Sequence, residues 1–499
     1  MPSDNSAPPP HWWLEMSRYH WWVLLVATLG WLFDSLDQRL FILVRTPALR
    51  DLIPGLADAE LAQYAGYATA IFIFGWATGG LIFGLMGDRW GRTRTMMITI
   101  LLYSVFTGLS AFSTSWWDFA AYRFLCGMGI GGEYAAGVAL VAEVVPNRAR
   151  PYCLGLLQGI SALGNISGSL ISLYIGPEAM IGGIDGWRVL FMVGVLPALL
   201  VVVIRLKLRE PESWLQAREK ALAGQSDSPD ELHKQMGDLS ELFGNRRWRY
   251  HIIIGMILGA SGQIGLWGVG FWTPELIRGA LLEQRQAADT SATTIGTEAG
   301  STLQPSTQPT TSLNLQQLAR QQSPNDEAAT ALFQKWHAED DKYVGRGTML
   351  QDVAGMCGMC VFTWWTGRVG RRKAFVTSYL LALGATWLTF GWLSQGSDVY
   401  WMLPLLGFGA SSVYAGFAIY FPELFPTRLR STGTGFCYNV ARYITALGPL
   451  MLGRLAVLYA GIGYAMPLRP AAMTLALVYL VGVIAVRFAP ETHGKPLPE

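Results

Sequence analysis

Asp34 and Asp37 stand three residues apart in a stretch that is otherwise mostly apolar from about residue 20 to 45. If the stretch is a helix, both carboxylates project from one face. Two carboxylates close together in a low-dielectric site cannot both ionise easily, so one of them can take up and release a proton. Arg123 and Glu133 lie ten residues apart in another apolar stretch, on different faces, and Arg123 is a natural partner for Asp34 or Asp37. Glu133 sits in a Gly-rich run where helices approach closely, so it reads either as part of a packing charge pair or as a coupling residue. Arg39 lies well round the helix from Asp34 and is expected to meet a neighbouring helix. His20 and His251 fall at the entrances of apolar stretches, so a proton relay would have to run through carboxylates.

A second set of residues suits ligand binding. Gln158 and Asn165 are seven apart, Gln263 and Trp267 four apart with Trp272 following, and Asn439, Arg442 and Tyr443 cluster. Amides beside an aromatic platform suit a hydroxyl-rich ligand, whereas Arg442 can take a carboxylate bidentately. Hydrogen bonding between helices is the structural alternative for each of them. A third set lies at the ends of apolar stretches: Asp88, Arg89 and Arg92, Glu143 and Arg150, Arg368 and Arg371, Glu423 and Arg430. Here Asp88 is expected to cap a helix N-terminus in its own half. Arg89, Arg92, Arg368 and Arg371 are expected to bridge to Glu143 and Glu423.

Membrane helices must position these groups. Of the 499 residues, 51% are apolar and only 14% charged, against about 25% charged in soluble proteins, and the mean hydropathy is +0.30. A bilayer core of about 30 Å takes about 20 apolar residues per helix. Such stretches recur at about 20–45, 63–86, 94–114, 117–143, 151–175 and 187–207, then at 251–280, 346–367, 374–393, 399–421, 431–459 and 469–488. The expected fold is therefore an all-α integral membrane protein with twelve transmembrane helices in two six-helix pseudo-repeats. The halves would be 20–207 and 251–488, with an N-terminal tail over 1–19, a charged linker over 208–250 and a tail over 489–499. Residues 283–345, rich in Thr, Ser, Gln and Ala, read as a mostly disordered insertion with a short helix from Asp326 to Asp340. Lys and Arg gather on the side of the linker, which the positive-inside rule puts in the cytoplasm together with both termini. The N-terminal stretch lacks the features of a secretory signal, so the first apolar segment is expected to be retained.

Other chemistry finds no footing. Cys126, Cys153, Cys357, Cys360 and Cys437 all fall in or beside apolar stretches, so Cys357-Gly-Met-Cys360 reads as small-residue packing. No nucleophile–His pair, metal-ligand cluster or phosphate loop is present, so neither a cofactor nor a metal is expected, and the chain is not expected to be an enzyme. A net charge of +2 with no basic stripe argues against nucleic acid.

Two motifs occur twice. Gly87-Asp-Arg-Trp-Gly-Arg92 returns as Thr366-Gly-Arg-Val-Gly-Arg371, and Glu143-Val-Val-Pro-Asn-Arg-Ala-Arg150 as Glu423-Leu-Phe-Pro-Thr-Arg-Leu-Arg430. From Asp88 to Gly367 is 279 residues and from Glu143 to Glu423 is 280, so both repeats share one register. With Gly84-x-x-x-Asp-Arg-x-Gly-Arg92 as a hallmark loop, the chain resembles the major facilitator superfamily outside 283–345. Arg123-x-x-x-Gly-x-Gly-Ile-Gly-Gly-Glu133, Glu210-Pro-Glu-Ser-Trp214, Pro422-Glu-Leu-Phe-Pro-Thr427 and Pro490-Glu-Thr-His-Gly-Lys-Pro496 resemble its sugar-porter and metabolite:proton symporter branches. Asp34-Ser-Leu-Asp37 is similar to the paired aspartates of aromatic-acid and sialate-type proton symporters. Gly367 departs from the pattern, standing where the hallmark loop carries an acid, and Trp214 stands where sugar porters continue Pro-Arg. The resemblance implies proton-coupled uptake of a small organic anion by alternating access, in a monomer of the bacterial inner membrane. It also implies that the third set of residues forms a cytoplasmic gate. A sugar transporter is the alternative within transport, and a nutrient sensor on a transporter scaffold the alternative of another class.

Overall fold

The apolar stretches become helices because a backbone in lipid must satisfy its hydrogen bonds within its own segment. The computed structural model describes residues 11–498 apart from 56–57, 178, 200–203, 205–206, 224–235, 271, 294–310, 324, 447 and 465. Span 1 is Arg18–Leu52, span 2 Asp58–Trp90, span 3 Arg92–Ser110, span 4 Trp116–Val144 and span 5 Arg150–Ile175. Span 6 opens with Gly186–Val193. Span 7 runs through Arg246–Gln263, a wide π-helical turn over Ile264–Val269, and Thr273–Thr293. Span 8 belongs to Asp326–Val369, span 9 is Arg371–Trp392 and span 10 Val399–Glu423. Span 11 runs from Arg430 to Gly461 with a second π-helical turn at Phe436–Val440, and span 12 is Leu468–Leu475 followed by Val478–Phe488.

Among the described residues seven helices are long and apolar enough to cross a membrane by themselves. Span 1 is not one of them; it carries Asp34, Asp37, Arg39 and Arg45. The repeat seen in the motifs returns in the packing. Span 2 packs on 4, 1 on 5, 3 on 4, 1 on 6 and 3 on 6, and the same five pairings recur as 8 on 10, 7 on 11, 9 on 10, 7 on 12 and 9 on 12. Spans 2 and 11, and spans 5 and 8, meet between the halves.

One expectation needs correction. Within 283–345 the helix expected from Asp326 is present, as the start of the long helix of span 8, but the described residues before it also carry helices where disorder was expected: span 7 continues to Thr293, and Thr311–Gln321 is a helix. Leu282, Leu315 and Leu318 form a small core there with Phe333 and Trp336, while Arg285 bonds to Asp340 at 2.7 Å and Arg278 to Asp341 at 2.9 Å. The polar composition hid this because the apolar residues are few but fall on facing surfaces. The described residues add to the helices one small antiparallel ribbon, Met180–Ile181 with Ile184–Asp185, in the loop before span 6.

Backbones touch where glycines allow it. Gly75 and Gly79 of span 2 lie against the carbonyls of Phe124 and Met128, and Gly127 and Gly131 of span 4 against those of Phe72 and Trp76. Small residues at a spacing of four bring membrane helices together in this way. A side chain at Gly131 would meet the Trp76 carbonyl, so Gly131→Leu is expected to cost about 1–3 kcal/mol or more through overpacking. Gly384→Ala faces open space and should leave the thermal unfolding midpoint in detergent unchanged while Gly131→Leu lowers it.

Candidate functional site

The face that carries the linker holds the first cluster. Span 2 ends with Asp88, whose carboxylate accepts from the backbone N–H of Ser431 (3.1 Å) and Thr432 (2.9 Å) and from the Thr432 hydroxyl (2.6 Å). Asp88 thus caps span 11 across the interface, not a helix of its own half. Glu143 accepts from Arg92 of its own half and from Arg430 of the other, each at 2.9 Å. Arg371 pairs with Glu423 at 2.7 Å within the second half. Two of the expected bridges are absent among the described residues: Arg89 donates to the Met236 carbonyl and Arg368 lies over the Trp364 ring; Arg150 donates to the Ala142 carbonyl and the Asn147 side chain. The halves are therefore sealed together on this face by Asp88, Glu143 and Arg430.

Two further caps obey the repeat. Glu210 accepts from the backbone N–H of Thr93 and Arg94 at the start of span 3, and Glu491 from those of Arg371 and Arg372 at the start of span 9. Gly91 and Gly370 have φ of +111° and +87°, and a side chain at either would meet the capping carboxylate. Burial pushes the Glu210 carboxyl above its ordinary value, against the pull of its N–H donors. For Glu491 burial pulls the same way, but the N–H groups of Arg371, Arg372 and His493 outweigh it and hold the carboxyl below its ordinary value.

Inside the first half, Asp37 is fully enclosed. It accepts from the Thr107 hydroxyl at 2.6 Å and the Cys126 thiol at 3.2 Å, with the Arg123 guanidinium at 3.6 Å. Arg123 also donates to Ser110 and lies 4.6 Å from the centre of the Phe191 ring. Asp34, equally buried, does not share this partner. It faces Glu133, whose carboxyl packs beside Gly30 one turn earlier in span 1. Three buried carboxyls thus stand against one guanidinium.

Between the halves lies a cavity of about 270 Å³. Trp31, Gln38 and Arg39 reach it from span 1, Trp76 from span 2, and Gln158 and Asn165 from span 5. The second half contributes Trp267, Gln351, Asp352, Tyr414, Tyr438 and Arg442. Arg442 is sandwiched, 3.4 Å from the centre of the Trp76 ring and 4.7 Å from that of Tyr438. The polar groups facing it are the phenols of Tyr438, Tyr414 and Tyr134, and among the described residues it has no carboxylate partner. Arg39 and Asp352 form an ion pair from one half to the other.

The wide turns explain which candidates reach the cavity. Trp267 and Tyr438 are both presented from π-helical turns, a device that re-aims side chains at functional sites. The Gln263 amide donates to the Tyr438 carbonyl at 2.7 Å, so it braces the turn and borders a side chamber of about 50 Å³ beside Arg442. Three expected ligand contacts lie elsewhere. Trp272 packs in an apolar cluster, Asn439 sits against Gly80 of span 2, and the Tyr443 hydroxyl meets Thr78 at 2.7 Å. The sequence reading passed over Asp352, although it is an acid within the eighth apolar stretch and the rule that singled out Asp34 applies to it equally. Trp31, Trp76, Tyr414 and Tyr438 carry no comparable signal among so many membrane aromatics.

The sequence profile of the Major Facilitator Superfamily matches residues 23–288. The chain is 28% identical to a probable 4-methylmuconolactone transporter of Cupriavidus pinatubonensis, covering 93% of this chain and 89% of that protein. It is 24% identical to the niacin transporter NiaP of Acinetobacter baylyi, covering 97% of each. Among solved structures, the proton:xylose symporter XylE bound to 6-bromo-6-deoxy-D-glucose superposes with a TM-score of 0.66 at 18% identity, over 96% of this chain and 98% of that one. The duplicated six-helix halves, the hallmark loop after span 2 and the central cavity agree with these matches: the chain belongs to the Major Facilitator Superfamily, as a multi-pass membrane transporter and not an enzyme.

Proposed function

We propose that the protein takes up a small organic anion by proton-coupled alternating access, as a monomer of the bacterial inner membrane with both termini in the cytoplasm. The observation that carries this reading is Arg442, a guanidinium on the cavity wall held between aromatic rings and, among the described residues, left without a carboxylate partner. A ligand carboxylate completes it, and Trp31 and Trp267 give the same cavity an aromatic lining suited to a planar ring. The relatives support the same ligand class, since niacin and 4-methylmuconolactone are small rings that bear a carboxylate. The amides of Gln158 and Asn165 supply orienting hydrogen bonds. The same amides are the feature that favours the second reading, a sugar carrier, in which Arg442 would serve only packing.

The proton is assigned to the carboxyls of the first half. Asp37, held by Thr107, Cys126 and Arg123, is the acid whose surroundings change when that guanidinium moves. Asp34 and Glu133, facing one another away from water, hold one proton between them, because two adjacent buried carboxylates cannot both stay charged. The Asp88, Glu143 and Arg430 network closes the cytoplasmic side while the cavity loads from the other.

Arg442→Gln removes a charge-assisted contact of about 1.5–3 kcal/mol, which is about ten- to a hundredfold in affinity for an aromatic carboxylate. Unchanged affinity in a binding titration would favour the sugar reading. Asp37→Asn is expected to abolish accumulation driven by an inward proton gradient in proteoliposomes and to leave substrate exchange at equilibrium near wild type. Loss of both would mean that Asp37 is needed for folding or binding instead. Asp88→Asn weakens the cytoplasmic seal, so a cysteine placed at Thr434, buried behind it, should react severalfold faster with a hydrophilic maleimide once Cys357 and Cys360 are replaced by serine.

A further inference from the structure

Three charged side chains line the central cavity: Arg39, Asp352 and Arg442. Arg39 and Asp352 neutralise one another across the halves, and their side chains remain 21% and 24% exposed toward the cavity. Arg442 has no such acid among the described residues. The wall therefore carries one net positive charge, concentrated at Arg442.

Charge in a membrane interior is tolerated where it is compensated locally. A ligand with one carboxylate brings the loaded cavity to neutrality. A neutral ligand leaves Arg442 uncompensated. A ligand with two carboxylates must either leave one of them unpaired or draw Arg39 away, which strands Asp352 as an unpaired, half-buried carboxylate beside a like charge. We infer that Asp352 is a specificity-determining residue: by occupying Arg39, it restricts the cavity to organic acids of a single negative charge, held at Arg442. This rests on the proposed role of Arg442 and adds the charge count that the ligand must meet. A pair that served only as a strut between the halves would affect all ligands alike.

The test uses the full-length protein in detergent and three ligands built on one ring: benzoate with one charge, terephthalate with two and benzamide with none. Wild type is expected to bind benzoate more tightly than either of the others by about tenfold, the factor that one charge-assisted hydrogen bond supplies. Asp352→Asn frees Arg39 as a second cation and should move the terephthalate-to-benzoate affinity ratio at least about tenfold toward terephthalate. The double variant Arg39→Gln/Asp352→Asn lacks both the strut and the freed cation, and its ratio should return to that of wild type. An unmoved ratio in Asp352→Asn, with benzoate still preferred to benzamide, overturns the inference and leaves the reading of Arg442 standing. Wild type binding terephthalate as tightly as benzoate overturns it even if Asp352→Asn does not fold. Wild type binding benzamide as tightly as benzoate, or binding neither acid, overturns both.

Discussion

Charge buried among membrane helices must find compensation within a few ångströms, because no water is there to supply it. Much of the architecture follows from how this chain meets that demand. Arg92, enclosed completely, is held by Asp88 and Glu143, and those same two carboxylates reach across to span 11. Arg123 is held by Asp37 and the ring of Phe191, and Arg39 by Asp352. Arg442 alone among these guanidiniums is met only by rings and phenols. The cavity is thus singled out by the kind of compensation it offers more than by its size, which lies just below the usual range of about 300–1,000 Å³ for ligand pockets.

The duplication does not make the two halves equivalent. Glu143 and Glu423 each receive a guanidinium from the hallmark loop of their own half, Arg92 and Arg371. The acid of the first hallmark loop, Asp88, then caps span 11, but its counterpart is Gly367, which has no carboxylate to offer span 5 and lies near the Tyr152 hydroxyl instead. Arg430 crosses to Glu143, whereas its counterpart Arg150 stays within its own half on Ala142 and Asn147. A single substitution in a repeated motif therefore concentrates the closure between spans 2, 4 and 11. The departure at Gly367, visible in the sequence as an anomaly, has a structural meaning.

How far the sequence could be read followed the range of the interactions involved. The twelve spans and the two halves were legible because they rest on local apolarity and on motifs in a shared register. The intramembrane acids Asp34, Asp37 and Glu133 were legible as costly charges, and Arg123 as the partner of one aspartate, but which aspartate it meets and the pairing of Asp34 with Glu133 were not. Residues three apart in span 1 lean toward different neighbours, so Asp37 meets Arg123 and Asp34 meets Glu133. Asn439, Arg442 and Tyr443 do share a face, but it packs on span 2, against Gly80, Trp76 and Thr78, and of the three Arg442 lines the cavity. Partners contributed by distant segments, such as Ser431 and Thr432 for Asp88, leave no local trace.

The cavity wall is also a record of which contacts alternation must break. Arg442 belongs to span 11 and its stacking partner Trp76 to span 2, while Arg39 and Asp352 belong to spans 1 and 8. Any rotation that parts the halves on the linker face draws at least the first of these apart along with Asp88 and Thr432, because spans 2 and 11 carry both contacts. A ligand shifts such an equilibrium only by binding one arrangement better than the other. A carboxylate on Arg442 competes with nothing charged in the wall, so it is free to replace the Trp76 face as the group that holds the guanidinium. Loading the cavity then weakens the dependence of span 11 on span 2 at the same point where the seal below holds them together.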